Sequence, residues 1–353
     1  MKPNKITALQ YSTITFFLLN SFFMNVGYHK LTTTSYNDSI LDVLFGGIAI
    51  LLFSIIIFKF QQKNRDHIIN VINNQFPKLV KFFIFLLLFL MIGFSMTYSL
   101  TILSSFINYY ILKEVRLLII IITLVATILY IVSKGLATIG KISEIFFYIY
   151  IFIFITSSIG LIKYVDFSNL KPLFTTDFEN HFISSSIYFL SSIIPLFLLT
   201  MIPSKQVEFE TKNKKLPYIF ICLSIILVFL QLIFIISVLG IHLTNTYQIP
   251  DIIIYKKISF LNVLERIETI LALNNILNSL FFIIMGIYFM KELANHFISR
   301  KKEHINLALI GLILIILPNF ITVDYNIYII ISIVFFSILL LLLVHYFFRK
   351  HIH

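Results

Sequence analysis

The residues best suited to chemistry lie in the stretch 260–282, which reads FLNVLERIETILALNNILNSLFF. It places carboxylates, an arginine and asparagines among residues that are otherwise apolar enough for a lipid bilayer. At 100° per residue, Glu265, Glu268 and Asn275 share one face of a helix. A charged or strongly polar side chain at membrane depth normally faces the protein interior or a water-filled cavity. The pattern therefore predicts a helix with one polar stripe along a solute cavity.

The charged residues at the start of this stretch have two interpretations. In the first, Glu268 binds the ligand or carries a proton, because a carboxyl group in a low dielectric readily holds one. Glu265, Arg266 and Glu268 then gate the cavity or couple it to an ion. In the second, the carboxylates favour the helix N-terminus, Arg266 pairs with them or reaches the headgroups, and the asparagines join helices by hydrogen bonds. The sequence leaves both interpretations open.

Two further apolar runs are interrupted by polar or helix-breaking residues. A proline removes a backbone hydrogen bond from a helix, and nearby serines can satisfy the carbonyl group that it frees. Interruptions at corresponding places in the two halves of a chain indicate a transporter binding site. The predicted ligand-binding residues are Asn20, Ser21, Asn25 and Gly27 in the first run, Tyr98 in the third, Ser191, Ser192 and Pro195 in the sixth, and Glu268 and Asn275 in the eighth.

The elements that must position these residues are membrane helices. Hydrophobic residues make up 59% of the chain and charged residues 12%, and a soluble domain of 353 residues could not bury so much apolar surface. A spanning helix needs about 20 mostly apolar residues. Ten such segments lie near residues 7–28, 40–58, 80–107, 115–133, 138–162, 184–203, 216–240, 263–290, 304–321 and 327–347. The prediction is an all-α polytopic membrane protein that forms a single domain over residues 1–353.

The basic residues predict the orientation of the chain. With the N-terminus inside, the inner segments hold 19 of the 27 lysines and arginines and the outer loops hold 8. The positive-inside rule therefore places both termini in the cytoplasm. Outer loops 163–183 and 241–262 are expected to be solvated connectors, short interfacial helices or lids. Inner loop 59–80 has apolar residues at helical spacing, which predicts an amphipathic helix on the membrane surface.

Several functional classes are disfavoured by the sequence. The net charge of +11 falls in short clusters between apolar runs, which is typical of membrane orientation and not of nucleic-acid binding. No GxSxG, HExxH, Walker A or GxGxxG motif occurs, and Cys222 as the single cysteine excludes a CxxC pair. We therefore expect no enzyme activity, no metal and no cofactor.

The sequence resembles the spore germination permeases, the GerAB/GerKB-type B subunits of nutrient germinant receptors in endospore-forming bacteria. The resemblance is strongest in PDIIIYKKISFLNVLERIETILALNNILNSLFF, which has the exterior proline segment, the basic pair, the aromatic residue and the Glu-Arg-x-Glu entry of that family. Supporting likeness comes from ITALQYSTITFFLL, LFGGIAILLF and GKISEIFFYIYIF. It extends over nearly the whole chain.

The resemblance implies a LeuT/APC-like fold, similar to the amino acid–polyamine–organocation transporters. Two inverted five-helix repeats would cover about 7–162 and 184–347, with broken helices one and six at the ligand site. Glu265, Arg266 and Glu268 match the family's charged entry to the eighth span. The resemblance also implies the inner membrane of the dormant spore, a small nutrient ligand such as an amino acid, and two partners, an A subunit and a lipoprotein C subunit.

Three functions remain open at this point. The first is a germinant sensor whose ligand shifts the bundle between two conformations that partner subunits read. The second is a secondary transporter of amino acids or related solutes coupled to an ion. The third is a structural membrane subunit without a ligand of its own, in contact only with membrane lipid and its partners.

Overall fold

A computed structural model describes residues 5–21, 27–63, 68–209, 213–258, 271–297, 303–319 and 325–349. Nearly all of these residues are helical, which confirms the all-α prediction. The helices are α1 (Ala8–Ser21), α2 (Tyr28–Ser35), α3 (Ser39–Lys63), α4 (Ile68–Gln75), α5 (Lys78–Tyr110), α6 (Leu117–Ser133), α7 (Leu136–Leu161), α8 (Phe178–Ser191), α9 (Ile193–Leu199), α10 (Leu216–Leu239), α11 (Ile241–Thr246), α12 (Pro250–Tyr255), α13 (Leu273–Phe297), α14 (Glu303–Ile316) and α15 (Tyr325–Arg349).

Each of the ten predicted spans contains a helix. Within the described residues, seven stretches are long and apolar enough to cross a bilayer, and α6 and α14 are shorter apolar helices. The seven are Tyr28–Gln62, Lys78–Tyr110, Leu136–Tyr164, Phe178–Leu199, Leu216–Leu239, Leu273–His296 and Tyr325–Leu343. The chain is therefore an integral membrane protein. We refer to the end of the bundle that carries α11 and α12 as the predicted outer end, and to the opposite end as the predicted inner end.

The polar segment Thr32–Ser35 is helical although the first predicted span ends at residue 28. The hydroxyl groups of Thr32, Thr33, Thr34 and Ser35 donate to backbone carbonyls three or four residues earlier. Each hydroxyl group thereby has its hydrogen-bond acceptor within the same helix, so this polar sequence can pack inside the bundle. Helix α2 therefore belongs with α3 to the long apolar stretch Tyr28–Gln62.

Helix α1 lies at the centre of the bundle. Twelve of its 14 residues are buried, and it packs against α7, α9, α10 and α13. Helix α13 is also central, and it packs against α5 as well as α1. At the periphery, apolar side chains such as Leu90, Phe152 and Leu341 are exposed. Central helices thus carry the polar residues, and the outer helices present apolar surface to lipid.

The first and sixth predicted spans lie side by side and antiparallel. Helix α1, from the first half of span one, packs against α9, from the second half of span six. Helix α2, which begins where the predicted span one ends, packs against α8, from the first half of span six. This crossed pairing requires the two spans to run in opposite directions. The two interrupted segments of the sequence are therefore neighbours in space.

Two glycines at the start of α3 allow close helix packing. A Cβ atom at Gly46 would lie 2.7 Å from the backbone carbonyl oxygen of Ser185 in α8. A Cβ atom at Gly47 would lie 2.6 Å from a methyl group of Ile225 in α10. Without side chains here, the backbone of α3 approaches both neighbours at a distance that larger residues would prevent.

The predicted inner end is held together by polar contacts across the bundle. The two-residue strands β1 (Ile6–Thr7) and β2 (Val207–Glu208) pair in parallel, an element that the all-α prediction did not include. The Tyr11 hydroxyl donates to Gln61 at 2.7 Å, and the Gln61 amide donates to the carbonyl of Leu199 at 2.5 Å. The start of α1 is therefore joined to the end of α9 and to the segment that follows it.

The loop before α8 is anchored to the predicted outer end of α3. The Asp38 carboxylate accepts hydrogen bonds from the backbone amides of Phe174, Thr175 and Thr176 at 2.5, 2.8 and 2.9 Å. A charge-assisted bond of this kind is stronger than a neutral one. This loop is therefore fixed to the bundle.

Helix α4 supplies the amphipathic helix predicted for the inner loop. Its apolar residues Ile68, Ile69 and Ile72 are buried in the hydrophobic core of the bundle, so this face packs on the protein and not on the membrane surface.

Candidate functional site

The sixth span is interrupted near its middle, between α8 and α9. Pro195 lies in the first turn of α9 and has no N–H to donate to the carbonyl of Ser191, four residues earlier. The Tyr328 hydroxyl, from α15, donates to that carbonyl at 3.3 Å. A side chain from a distant helix thus takes the place of the missing backbone donor.

The serines beside this break have a different role from the one expected. The hydroxyl groups of Ser191 and Ser192 both donate to the carbonyl of Tyr188, at 2.7 and 3.3 Å. They do not satisfy the carbonyl freed by the proline, because Tyr328 does so. The serines therefore bond within α8, and the break depends on a tertiary contact.

Tyr98 lies next to this break. Its ring stacks on Tyr328 with centroids 5.5 Å apart and an interplanar angle of 25°. Tyr325 lies close by, with its centroid 6.4 Å from that of Tyr328. All three tyrosines are buried. The structure thereby brings Tyr98, from the third span, to the interrupted segment at Ser191, and we call Tyr98, Ser191, Tyr325 and Tyr328 the Tyr328 cluster.

The predicted residues of the first span lie at the facing helix ends. Asn20 and Ser21 are buried in the last turn of α1, where the Asn20 side chain accepts a hydrogen bond from Ser224 of α10 at 3.0 Å. Gly27 directly precedes α2 and has φ −60°, which is right-handed helical backbone open to any residue. The remaining member of this group, Asn25, lies outside the described residues.

A buried carboxylate lies against the eighth span. The Asn275 amide donates to the Asp251 carboxylate at 2.6 Å. Both side chains are buried, and Asp251 belongs to α12 in the loop between spans seven and eight. Within the described part of the chain, the second carboxylate oxygen of Asp251 has no hydrogen-bond partner. A carboxylate with an unused oxygen in such a setting can hold a proton or accept a cationic group of a ligand.

The setting of Asp251 changes its protonation. Burial raises the pKa of Asp251 to about 7, although the Asn275 amide and the backbone amides at the start of α12 act in the opposite direction. Desolvation penalises the charged form of a carboxylic acid, and these amide donors do not offset that penalty. The group therefore changes charge near neutral pH.

Tyrosines and amides surround this carboxylate. Tyr28 of α2 lies within electrostatic range of Asp251, of Tyr150 and Tyr255, and also of Tyr188 beside the break in span six. The Gln231 side chain of α10 donates to the Tyr255 hydroxyl at 3.0 Å. We call Tyr28, Tyr150, Gln231, Asp251, Tyr255 and Asn275 the Asp251 cluster. Tyr28 connects it to the interrupted segment of the sixth span.

The polar stripe of the eighth span is described only in part. Asn274, Asn275, Asn278 and Ser279 are all buried in α13, so this face points into the bundle. The charged entry of the stripe, Glu265, Arg266 and Glu268, lies outside the described residues. Its gating, ion-coupling and ligand-binding roles remain predictions.

Seven residues of these clusters were not among the predicted site residues: Tyr28, Tyr150, Gln231, Asp251, Tyr255, Tyr325 and Tyr328. Three of them show what the sequence could and could not signal. Asp251 follows Pro250 in the loop between spans seven and eight. The sequence of this loop is also typical of a solvated connector, so nothing in it predicts that Asp251 is buried. Gln231 could have been found, because it is a lone amide in the apolar run of α10. Tyr328 resembles the many other aromatic residues of the chain, so only the contact with Ser191 distinguishes it.

A bundle of long apolar helices with polar clusters buried at paired helix ends defines a polytopic integral membrane protein built around an internal polar site. Residues 6–326 match the family model described as spore germination protein. The chain belongs to this family, as the resemblance in the sequence indicated. No curated protein matches the chain.

Proposed function

We propose that this chain is the membrane subunit of a spore nutrient germinant receptor. It binds a small nutrient, an amino acid, and triggers germination together with an A subunit and a lipoprotein C subunit. The observation that supports this best is the antiparallel contact between the two interrupted segments, with the Tyr328 cluster and the Asp251 cluster beside it. Interrupted helices that meet beside buried polar side chains are suited to a small zwitterion.

The Asp251 cluster and the end of α1 divide the recognition of such a ligand between them. The free oxygen of Asp251 accepts the ammonium group, and the Asn20 amide, which has one N–H bonded to the carbonyl of Phe16, donates its other N–H to the carboxylate. Binding would then join α12 to α1. A ligand shifts an equilibrium only by its difference in affinity for the two states, so this bridging is what favours one conformation over the other.

The proposed location and topology follow the same reasoning. The chain lies in the inner membrane of the spore with both termini in the cytoplasm, and it forms one domain of two inverted five-helix repeats, about 7–162 and 184–347. The antiparallel arrangement of spans one and six supports this pairing of the halves.

The deciding experiment measures release of dipicolinic acid from spores with and without the gene, with the partner subunits intact, across amino acids, sugars and nucleosides. Loss of response to one nutrient class supports the receptor and names the ligand. An unchanged response to every nutrient contradicts it.

A matched pair of variants distinguishes a ligand-binding role from a structural one. Asn275→Leu removes the amide donor of Asp251, and we expect a changed nutrient sensitivity at equal abundance of the protein. Thr123→Val, on the exposed face of α6, is the control and should change neither the nutrient sensitivity nor the abundance of the protein. Equal behaviour of the two variants would favour a structural subunit without its own ligand.

An ion-coupled secondary transporter is the second candidate. It is favoured by Asp251, a buried carboxyl group that titrates near neutral pH and can carry a proton with the solute. The test is uptake of labelled amino acids into proteoliposomes under a proton or sodium gradient. Uptake that requires the gradient and is lost in Asp251→Asn supports transport, whereas no uptake under any gradient excludes it.

A further inference from the structure

The predicted inner end contains a cavity of about 260 Å³ that the proposed nutrient site does not use. It opens to solvent beside Gln62 and Lys214 and is lined by α1, α3, the start of α10 and the segment that follows α9. Its volume is just below the about 300–1,000 Å³ of pockets for drug-sized ligands, so its occupant must be a small molecule.

Aromatic side chains form the walls of this cavity. Tyr11 lies with its ring centroid 6.1 Å from Phe58 and 5.7 Å from Phe209, and Phe58 lies 5.0 Å from Tyr218. Rings at about 4.5–7 Å in tilted or edge-on arrangements attract one another, and a further planar ring can join such a set. The walls therefore favour an aromatic ligand over an aliphatic one of equal size.

The polar groups of the lining favour an anion. Lys214, Gln62 and Ser204 line the cavity, and no carboxylate is among the described lining residues. In the part of the chain that the structure describes, the side chains of these three residues make no hydrogen bond or ion pair. An ammonium group, an amide and a hydroxyl can all donate to a carboxylate, and a charged donor gives the strongest bond of the three.

We propose that this cavity binds a small aromatic carboxylate, with its ring packed against Tyr11, Phe58 and Tyr218 and its carboxylate at Lys214. The site is separate from the nutrient site and does not depend on the proposed receptor function.

The position of the cavity implies a regulatory effect. One wall belongs to α1, which follows β1, and another belongs to the segment of β2, with which β1 pairs. A ligand that contacts both walls stabilises the paired arrangement, because binding to one state increases its population. Occupancy therefore stabilises the pairing of β1 with β2 at the predicted inner end.

The test uses the full chain purified in detergent, with benzoate as the probe and thermal unfolding as the readout. We expect benzoate to raise the unfolding temperature in a saturable manner. Cyclohexanecarboxylate, which lacks the aromatic ring, and benzyl alcohol, which lacks the carboxylate, should bind more weakly. No shift with benzoate, or equal shifts with the three compounds, would overturn the proposal.

Two neighbouring lysines give a matched pair of variants. Lys214→Gln should raise the apparent Kd for benzoate by about tenfold or more, because a hydrogen bond between two charged groups is lost. Lys215→Gln removes the same charge at a residue that does not line the cavity and should leave binding unchanged. Lys214→Arg keeps the charge and should retain binding, which verifies that the position tolerates substitution. Equal affinities of the Lys214→Gln and Lys215→Gln variants would show that Lys214 is not the anion partner.

Discussion

At the scale of single residues, the contact between Asn275 and Asp251 shows how a buried polar group can both destabilise this protein and serve its function. A buried carboxylate with one strong donor, at 2.6 Å, is poorly compensated when it is charged. The same group is well placed to exchange a proton or to meet a ligand cation. Such a residue lowers the free energy of unfolding of the ligand-free protein. A ligand cation that pairs with the carboxylate would therefore increase the stability.

This residue predicts a pH dependence with a defined sign. The pKa of Asp251 is raised in the folded protein to about 7 from an ordinary value of 3.8. The stabilising effect of the neutral form is therefore fully present below about pH 4 and is lost as pH rises towards 7. We expect the unfolding temperature of the purified chain to fall over this window.

Asp251→Asn isolates the contribution of this group. The amide keeps the shape of the side chain but cannot ionise, so the fall in unfolding temperature between pH 4 and 7 should be smaller than in the unmodified chain. The comparison of the two curves removes the effect of all other titrating groups. Parallel curves would show that Asp251 keeps the same pKa on unfolding.

At the scale of elements, the break between α8 and α9 depends on a hydrogen bond from another helix. Tyr328→Phe removes the hydroxyl that donates to the carbonyl of Ser191 and keeps the ring that stacks on Tyr98. A buried carbonyl then loses its donor, and we expect a loss of about 0.5–3 kcal/mol in the free energy of unfolding.

Pro195→Ala provides the complementary change. Alanine restores an N–H that can bond the carbonyl of Ser191, so Tyr328→Phe should cost less in the Pro195→Ala background than in the unmodified chain. Urea denaturation of the four proteins gives the coupling free energy. Additive effects would mean that the tyrosine does not replace the backbone donor. A continuous helix should also weaken the nutrient response, because the break is then removed.

The close approach of α3 and α8 is a second prediction at this scale. Gly46→Ala places a Cβ atom 2.7 Å from a backbone carbonyl, which cannot move as a side chain can, and should destabilise the protein by about 1–3 kcal/mol. Gly93→Ala, where the nearest atom is a methionine methyl group at 3.4 Å, is the control. Its effect on unfolding should be small. Equal losses in the two variants would argue against a specific contact at Gly46.

At the scale of the whole molecule, the excess of lysine and arginine in alternate loops predicts the orientation of the bundle. In a Cys222→Ser background, Ser168→Cys at the predicted outer end should react with a membrane-impermeant maleimide in intact cells. Lys215→Cys at the predicted inner end should react only after permeabilisation. Both positions are exposed, so accessibility within the fold is matched. The opposite labelling pattern would reverse the orientation.

The length of the apolar runs determined much of this architecture. A bilayer requires about 20 apolar residues with every backbone group bonded internally, and this constraint predicted a helix in each of the ten segments. Positional signals also located the interruption of span six, because proline and clustered polar residues are costly in such runs. The interruption of span one stays a prediction, because residues 22–26 lie outside the described residues. The resemblance carried by the segment 250–282 agreed with the family to which the chain belongs.

Only the tertiary structure decided which polar groups meet. Asp251 and Asn275 are 24 residues apart, and Tyr328 and Ser191 are 137 apart, so no local pattern records either contact. Periodicity indicates which face of a helix is turned inward, but the partner on the other side depends on how the helices pack. Burial then converts an ordinary loop aspartate into a group that titrates near neutral pH, because desolvation is a property of the assembled bundle and not of the segment.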